Sequence, residues 1–212
     1  MYEKFFKRFL DIVLVLMAFP FLLIIFIVIA PIIFFTDGGP VFYNANRLGR
    51  NGETYKMYKF RSMYVNSPDL RNEDGSTYNG EKDPRVTPIG RILRKTSLDE
   101  VPQLLNVLFG SMSIVGPRPN LATCAFYDLP KIEQDRVKIR PGITGYNQAY
   151  FRNSVSTKQK FINDVYYVEH VTFLFDLKIL IKTVTTVLKR EKIYIENDEY
   201  LSITDQKNEV NK

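Results

Sequence analysis

The sequence has almost none of the residues that build sulfur or histidine sites. Its 212 residues include one cysteine, one histidine and no tryptophan. The single Cys124 excludes an intrachain disulfide and a cysteine-based zinc cluster, which is typical of a domain in a reducing compartment. The single His170 excludes a histidine-rich metal centre, and no nucleophile elbow accompanies it for a serine hydrolase. P-loop and dinucleotide-binding fingerprints are also absent.

One long apolar run stands out from an otherwise ordinary composition. Residues 12–35 contain 22 apolar residues, two prolines and no charge. As a helix this run would reach about 36 Å, which is enough to cross a hydrocarbon core of about 30 Å. Basic residues precede it at Lys4, Lys7 and Arg8, and others follow it from Arg47 onward. Because basic flanks favour the cytoplasmic side, this pattern favours entry and exit through one leaflet.

Pro20 lies in the middle of the run, where it removes a helical hydrogen bond and favours a bend. Neither arm beside the bend is long enough to span a bilayer. A re-entrant helix and a kinked spanning helix both fit the residues, and a cleaved signal peptide fits less well because the run is too long. We expect Asp11 to pair with Lys7 and Arg8 at the level of the headgroups.

The remaining chain predicts an α+β fold that is mainly helical. A β-hairpin close to the membrane is predicted from residues 41–43 and 54–60, around a turn at residues 50–52. Residues 89–108 predict a helix interrupted at Pro102, with Ser97 and Glu100 forming a capping box. A helix at 158–168 and an amphipathic helix at 173–190 follow, and the second fits either packing on the core or lying in the membrane plane.

These features divide the chain into three parts. Residues 1–36 are predicted to form a membrane anchor, and residues 37–190 a soluble domain that is long enough to bury a core. Residues 191–212 form a polar, acidic tail that we expect to be disordered.

The adjacent acids Asp99 and Glu100 are the first candidates for chemistry. Adjacent helical residues point about 100° apart, so the two carboxylates would take different roles toward one substrate. Near a helix N-terminus a carboxylate stays ionised, which suits a nucleophile or a metal ligand. The alternative is a pair of acids that only stabilise the helix terminus.

The basic residues near this pair favour the catalytic interpretation. Residues 47–95 carry 11 basic and six acidic side chains, within a net charge of +6 for the chain. Arg94 comes just before the acids, Lys59 lies in the hairpin, and prolines on both sides hold Arg118 in a rigid turn, which suits repeated contact with phosphate oxygens. Together these residues and the anchor predict a site for a phosphorylated membrane substrate and a divalent metal, Mg²⁺.

Several segments resemble those of the bacterial sugar transferases, the small monotopic polyprenyl-phosphate phosphoglycosyl transferases. The resemblance covers about residues 2–190. Its segments are KRFLD at 7–11, YKFRSM at 58–63, RKTSLDEVPQL at 94–104, NVL at 106–108, MS at 112–113, VGPRP at 115–119 and RPGITG at 140–145. The family's anchor is a re-entrant helix often broken at a Ser-Pro pair, whereas this chain has Phe19-Pro20, so its break would rest on Pro20 alone.

The resemblance implies a reaction in which a UDP-sugar gives its phosphosugar to undecaprenyl phosphate and releases UMP. Asp99 would be the nucleophile of a covalent intermediate and would lie near a Mg²⁺ ion, and Glu100 would assist attack by the lipid phosphate. The resemblance also implies binding or network roles for further residues. These are Lys59, Arg94, Arg118, Arg152 and Asp164.

The resemblance further implies a location and partners. The enzyme would lie in the bacterial inner membrane with its catalytic domain facing the cytoplasm, in contact with membrane lipids and followed by downstream glycosyltransferases. The donor sugar, the glycan pathway and the oligomeric state stay open. The alternative is a basic membrane-anchored module that binds anionic lipid or a partner protein without chemistry. Nucleic-acid binding is not expected, since no recognition motif is present.

Overall fold

The computed structural model describes residues 2–70, 78, 80, 82–122, 125–152 and 154–189. The predicted tail at 191–212 and Cys124 lie outside the described residues. The described part is mainly helical with two small sheets, in agreement with the predicted class. The helices are α1 Lys7–Asp37, α2 Pro88–Thr96, α3 Gln103–Phe109, α4 Lys131–Arg136, α5 Tyr146–Tyr150, α6 Thr157–Glu169 and α7 Phe173–Lys189; the strands are β1 Ala45–Leu48, β2 Thr54–Met57, β3 Ser113–Val115 and β4 Gly142–Thr144.

Helix α1 contains the apolar run and follows a short π-helical turn at Tyr2–Phe6. Within the described part of the chain it is the one helix long and apolar enough to cross a membrane, and only 17% of its most apolar stretch is buried. The helix is continuous through Pro20, so the predicted break does not divide it into two helices. Val15, Leu22 and Ile29 are buried at intervals of seven residues, and most of the other apolar side chains are exposed. One face of α1 therefore packs on the domain.

Both ends of α1 contact the same domain. Near the start, Lys7 forms an ion pair with Asp176 of α7, and Asp11 accepts a hydrogen bond of 3.0 Å from the Ile114 amide. The predicted pairing of Asp11 with Lys7 and Arg8 is therefore wrong: the acid lies against the domain, where the Ile114 backbone amide satisfies it. Near the end of the helix, Ile29 and Ile33 pack in one cluster with buried Phe60.

The predicted hairpin is present, with its first strand displaced along the chain. Strands β1 and β2 are antiparallel, and a short 3₁₀ turn at Arg50–Gly52 connects them. Residues 41–43 precede β1 instead of forming it. They still continue the pairing, because the Tyr43 amide donates to the Lys59 carbonyl at 2.9 Å and Phe42 bridges to Phe60.

A second sheet was not predicted. Strands β3 and β4 pair in parallel, with Ser113 opposite Gly142 and Val115 opposite Thr144. The backbones of these two segments approach so closely that a Cβ atom on Gly142 would lie 2.0 Å from the Gly116 amide nitrogen. This sheet holds the segments that follow β3 and precede β4 side by side, and the first of them carries Arg118.

Helices α6 and α7 agree with their predictions and complete the domain. Ile179 of α7 and Tyr167 of α6 are buried together with Val115. On the opposite face of α7, Leu177, Ile181 and Val184 are exposed. The predicted amphipathic helix therefore packs on the core with one apolar face and leaves a second apolar stripe uncovered.

Candidate active site

Asp99 and Glu100 lie in a tight turn between α2 and α3. Helix α2 begins at a Thr87 cap with Pro88 in its first turn, and it ends at Ser97, whose φ of 58° is left-handed. A 3₁₀ turn at Leu98–Glu100 follows, before α3. The predicted capping box is therefore wrong, because Ser97 ends one helix and its side chain caps no other. The turn nevertheless presents both carboxylates, as the prediction required.

The hairpin brings Lys59 to these carboxylates. The Phe60 amide donates to the Asp99 carbonyl at 2.9 Å, and the fully buried Phe60 ring fixes this part of the chain. As a result, Lys59 Nζ lies 2.7 Å from Asp99 Oδ2 and 3.6 Å from Glu100 Oε1. One ammonium group therefore serves two carboxylates.

Arg118 approaches the same pair from the turn after β3. Its Nη2 donates to Glu100 Oε1 at 3.1 Å, while its side chain stays 56% exposed. The buried Arg136 supports this turn by donating from Nη2 to the Arg118 carbonyl at 3.0 Å. The backbone of Arg118 is thus held in place while its guanidinium stays accessible to solvent. This arrangement suits an anionic ligand that arrives from solvent.

Asp164 supports the position of Arg118 indirectly, through Arg136. Its Oδ2 accepts hydrogen bonds from Nε and Nη2 of Arg136 at 2.8 and 2.6 Å, and its Oδ1 accepts one from the side-chain amide of Asn147. Its link to Glu100 therefore runs through Arg136 and Arg118. The prediction placed Asp164 among the substrate-binding or network residues, and its contacts are those of a network residue.

The other two predicted basic residues differ in position. Arg94 donates from Nε to Ser62 Oγ at 3.0 Å, and its charge acts on Asp99. Arg152 has a left-handed φ of 49°, and its amide donates to the Asn147 carbonyl at 2.7 Å. Arg94 thus belongs to the carboxylate site, whereas the Arg152 backbone lies beside the Asp164 network.

The sequence-based prediction missed Arg136 and Asn147. Both are buried, and both contact Asp164. A single arginine on the short helix α4 has no local signal that separates it from a solvent-exposed charge. Only the packing of α4 against α6 makes Arg136 a supporting residue.

The two carboxylates have opposite electrostatic environments. Asp99 is 3% exposed, and this burial raises its pKa above the ordinary 3.8, against the nearby Lys59 ammonium, which lowers it. Burial would also raise the pKa of Glu100, but the Arg118 guanidinium and Lys59 outweigh it and lower that pKa to about 2. Two acids whose pKa values are pushed apart are typical of a site with separate roles for each.

The carboxylate oxygens fit the preference of Mg²⁺ for oxygen ligands. Mg²⁺ is usually held by one or two carboxylates together with substrate phosphates and water. Among the described residues no group of three or more acidic, histidine or cysteine side chains could form a complete metal cage. Asp99 and Glu100 therefore fit an ion that is shared with a phosphorylated substrate.

The paired carboxylates and the surrounding cations, on a domain that carries the long apolar helix α1, form a charged site that suits an anionic ligand. The family described as bacterial sugar transferase matches residues 2–190, and the chain belongs to this family. It is an enzyme of the sugar-transferase class, as the sequence motifs predicted.

Curated relatives agree with this family. An exopolysaccharide production protein, ExoY, of Sinorhizobium fredii is 39% identical over 193 residues, which cover 85% of this chain and 84% of the relative. An undecaprenyl-phosphate galactose phosphotransferase of Salmonella typhimurium is 38% identical over 91% of this chain and 42% of its own length. A UDP-N-acetylgalactosamine-undecaprenyl-phosphate N-acetylgalactosaminephosphotransferase of Aeromonas hydrophila is 36% identical over 87% of this chain and 44% of its own length. The chain thus spans less than half of the two longer relatives.

Proposed function

We propose that this chain transfers a phosphosugar from a UDP-sugar to undecaprenyl phosphate, with release of UMP, and so starts the synthesis of a bacterial surface glycan. The names of the Salmonella and Aeromonas relatives support the lipid carrier and the type of donor. The observation that carries the proposal is the contact of Lys59 with both Asp99 and Glu100, next to Arg118. The non-catalytic binding module lacks comparable support, because it gives no role to two adjacent acids that share one lysine.

In the proposed first step, Asp99 attacks the phosphorus atom that carries the sugar. An oxygen of the carboxylate forms a bond to phosphorus, and the bond between that phosphorus and the UMP oxygen breaks, so UMP leaves with the electron pair. Burial raises the pKa of Asp99, which makes its ionised form a stronger base and nucleophile. Lys59, 2.7 Å away, keeps the carboxylate ionised and aligned.

In the proposed second step, an oxygen of undecaprenyl phosphate attacks the same phosphorus atom. The bond to Asp99 breaks, the carboxylate is restored, and undecaprenyl-diphosphate-sugar is formed. Glu100, whose pKa is lowered to about 2, stays ionised and orients Arg118 toward the arriving phosphate. Asp99, with Glu100 beside it, would hold a Mg²⁺ ion, which would neutralise charge on the phosphate oxygens when bound.

The membrane arrangement is part of the proposal. Re-entry of α1 through one leaflet is supported by the contacts of both its ends with the same domain, Lys7 with Asp176 and Ile33 with Phe60. The exposed stripe of Leu177, Ile181 and Val184 supports an interfacial position for α7. We place the domain at the cytoplasmic face of the inner membrane, where UDP-sugars are available.

Cysteine labelling tests this topology. In a Cys124→Ser background, Glu3→Cys and Ser67→Cys are each exposed to a membrane-impermeant maleimide in intact and in permeabilised cells. Re-entry predicts that both positions are labelled only after permeabilisation. If labelling of either position occurs in intact cells, the helix crosses the membrane.

The catalytic proposal is tested by UMP release without acceptor. The wild-type protein, reconstituted in lipid nanodiscs with Mg²⁺ and a panel of UDP-sugars, should release one UMP per active site with the correct donor, and the Asp99 peptide should gain the mass of the phosphosugar. Asp99→Asn should release none, since an amide cannot form the intermediate. The exposed Asp128→Asn serves as the matched control. Full activity of Asp99→Asn would disprove the role of this residue.

A further inference from the structure

Arg47 of β1 is half-buried, and part of its guanidinium is removed from solvent. Its Nε atom is buried and has no hydrogen-bond partner. Among the described residues, no carboxylate forms an ion pair with it. Burial lowers the pKa of Arg47, and the nearby Arg118 lowers it further. Since a buried unpaired charge is costly, such a residue is expected where an anionic ligand provides the missing charge.

Tyr55 of β2 offers a second unpartnered donor beside Arg47. The two residues are directly opposite in the hairpin, so their side chains lie on the same face of the sheet. The Tyr55 hydroxyl is also buried without a hydrogen-bond partner. Burial raises the pKa of Tyr55, so this hydroxyl stays protonated and can donate a hydrogen bond.

Backbone pairing brings this face of the hairpin to the site. The segment after Arg118 runs along β1: the Leu48 amide donates to the Asn120 carbonyl at 3.0 Å, and Arg47 bridges to Leu121. The charges of Arg118 and Glu100 both act on Arg47. Arg47, Tyr55 and Arg118 therefore form a group of three donors on the Glu100 side of the site, which we call the anion cradle.

The cations of the site form two groups. Lys59, which also contacts Glu100, and Arg94 act on Asp99, the proposed nucleophile. Arg118 contacts Glu100, and Arg47 lies near both. The first group suits the phosphoryl group that is transferred, and the anion cradle suits a second phosphate.

We propose that the anion cradle of Arg47, Tyr55 and Arg118 holds one phosphate group in both halves of the reaction: first the phosphate of UMP as it leaves, then the phosphate of the polyprenyl acceptor as it attacks. This inference rests on the proposed function. In an in-line displacement, the group that leaves departs opposite Asp99, and the group that later expels Asp99 arrives from that same direction. Both groups are phosphate monoesters, so one set of donors serves both.

Competition between the two monoesters provides the first test. Asp99→Asn in nanodiscs cannot form the intermediate, so UMP and farnesyl phosphate bind without reaction, and calorimetry gives each Kd. The apparent Kd of UMP should rise in proportion to the concentration of farnesyl phosphate. Simultaneous binding of both compounds, with an unchanged Kd for UMP, would overturn the shared cradle.

Removal of a single donor provides the second test. Arg47→Gln should weaken UMP binding by about 10- to 100-fold, which is the usual loss for a charge-assisted hydrogen bond to a phosphate. Lys56→Gln is the control, because it removes one positive charge from an exposed side chain on the opposite face of the same hairpin and should change the Kd of UMP by less than about twofold. Tyr55→Phe, which deletes one oxygen atom, should weaken binding by about fivefold. Wild-type affinity in both Arg47→Gln and Tyr55→Phe would overturn the proposal.

Inorganic phosphate separates failure of the cradle from failure of the proposed function. If no UDP-sugar releases UMP with the wild-type protein, the proposed function fails, and with it the role of the cradle in transfer. Binding of inorganic phosphate that is lost in Arg47→Gln and kept in Lys56→Gln would then still support an anion site. If UMP release is normal and phosphate binding is equal in both variants, the cradle fails alone.

Discussion

Two lysines, each paired with a buried aspartate, lie near the two ends of α1, and their surroundings differ. Lys7 and Asp176 have side chains that are 8% and 6% exposed. Both oxygens of Asp176 are occupied, Oδ2 by Lys7 and the Tyr2 hydroxyl and Oδ1 by the Tyr167 hydroxyl. One acid is matched by one cation, and the remaining donors are neutral. We call Lys7 and Asp176 the closed pair.

Lys59 and Asp99 form a pair that differs in the number of charged groups around it and in its access to solvent. We call it the open pair. A second acid, Glu100, shares the lysine, and a second cation, Arg118, reaches solvent. Arg47 adds a buried donor with no partner. Burial of an ion pair therefore does not by itself indicate function. The second acid and the solvent-exposed guanidinium distinguish the candidate site from the pair that joins α1 to α7.

The largest expected effect is on stability, when the cation of the closed pair is removed. Lys7→Met leaves the buried Asp176 carboxylate without its cation, which should reduce the free energy of unfolding by about 3–5 kcal/mol. Chemical denaturation in a mild detergent measures it, with the exposed Lys178→Met as control. The double variant Lys7→Met/Asp176→Leu should recover most of the loss, since no buried charge remains. Unchanged stability of Lys7→Met would remove the distinction between the two pairs.

The contrast between these pairs also shows what the sequence can predict. Asp99, Glu100, Lys59 and Arg118 were predicted from motifs, because rigid turns and adjacent acids are local features. The ion pair of Lys7 with Asp176 joins residues 169 positions apart. Asp11 was paired with its helical neighbours instead, since spacing along a helix cannot reveal a partner on another element.

The fold divides in the same way. The hairpin, α6 and α7 follow local turn and periodicity signals, and all three were predicted. The parallel pairing of β3 with β4 joins two three-residue strands, which are too short for a hydrophobic pattern of their own. Ser97 failed as a cap because its left-handed φ of 58° is set by the turn around Asp99 and not by its residue type.

Loss of the lysine from the open pair should change catalysis and its pH dependence. Lys59→Met should reduce kcat/KM for UMP release by about 10²- to 10³-fold. Transfer requires ionised Asp99, so activity should rise with pH through the raised pKa of this acid. Since Lys59 lowers that pKa, its removal should move the acid limb of the profile to higher pH.

Rate measurements from acid to neutral pH test this prediction. Lys59→Arg, which keeps the charge, is the control and should keep the limb near its wild-type position. Glu100, with a pKa of about 2, should contribute no limb in this range. An acid limb that is identical in Lys59→Met and the wild-type protein would show that Lys59 does not control the ionisation of Asp99.

The smallest expected effect concerns stability at the open pair. Because burial raises the pKa of Asp99 above 3.8, the folded protein binds this proton more tightly than the unfolded chain, so stability falls as pH rises between the two pKa values. Asp99→Asn, which carries no charge, should therefore be more stable than the wild-type protein at neutral pH. The gain should vanish as the pH falls below 3.8, where the wild-type acid is also neutral. Denaturation at several pH values measures this difference, and Asp128→Asn should show none. A loss of stability in Asp99→Asn would mean that the open pair stabilises the fold as the closed pair does.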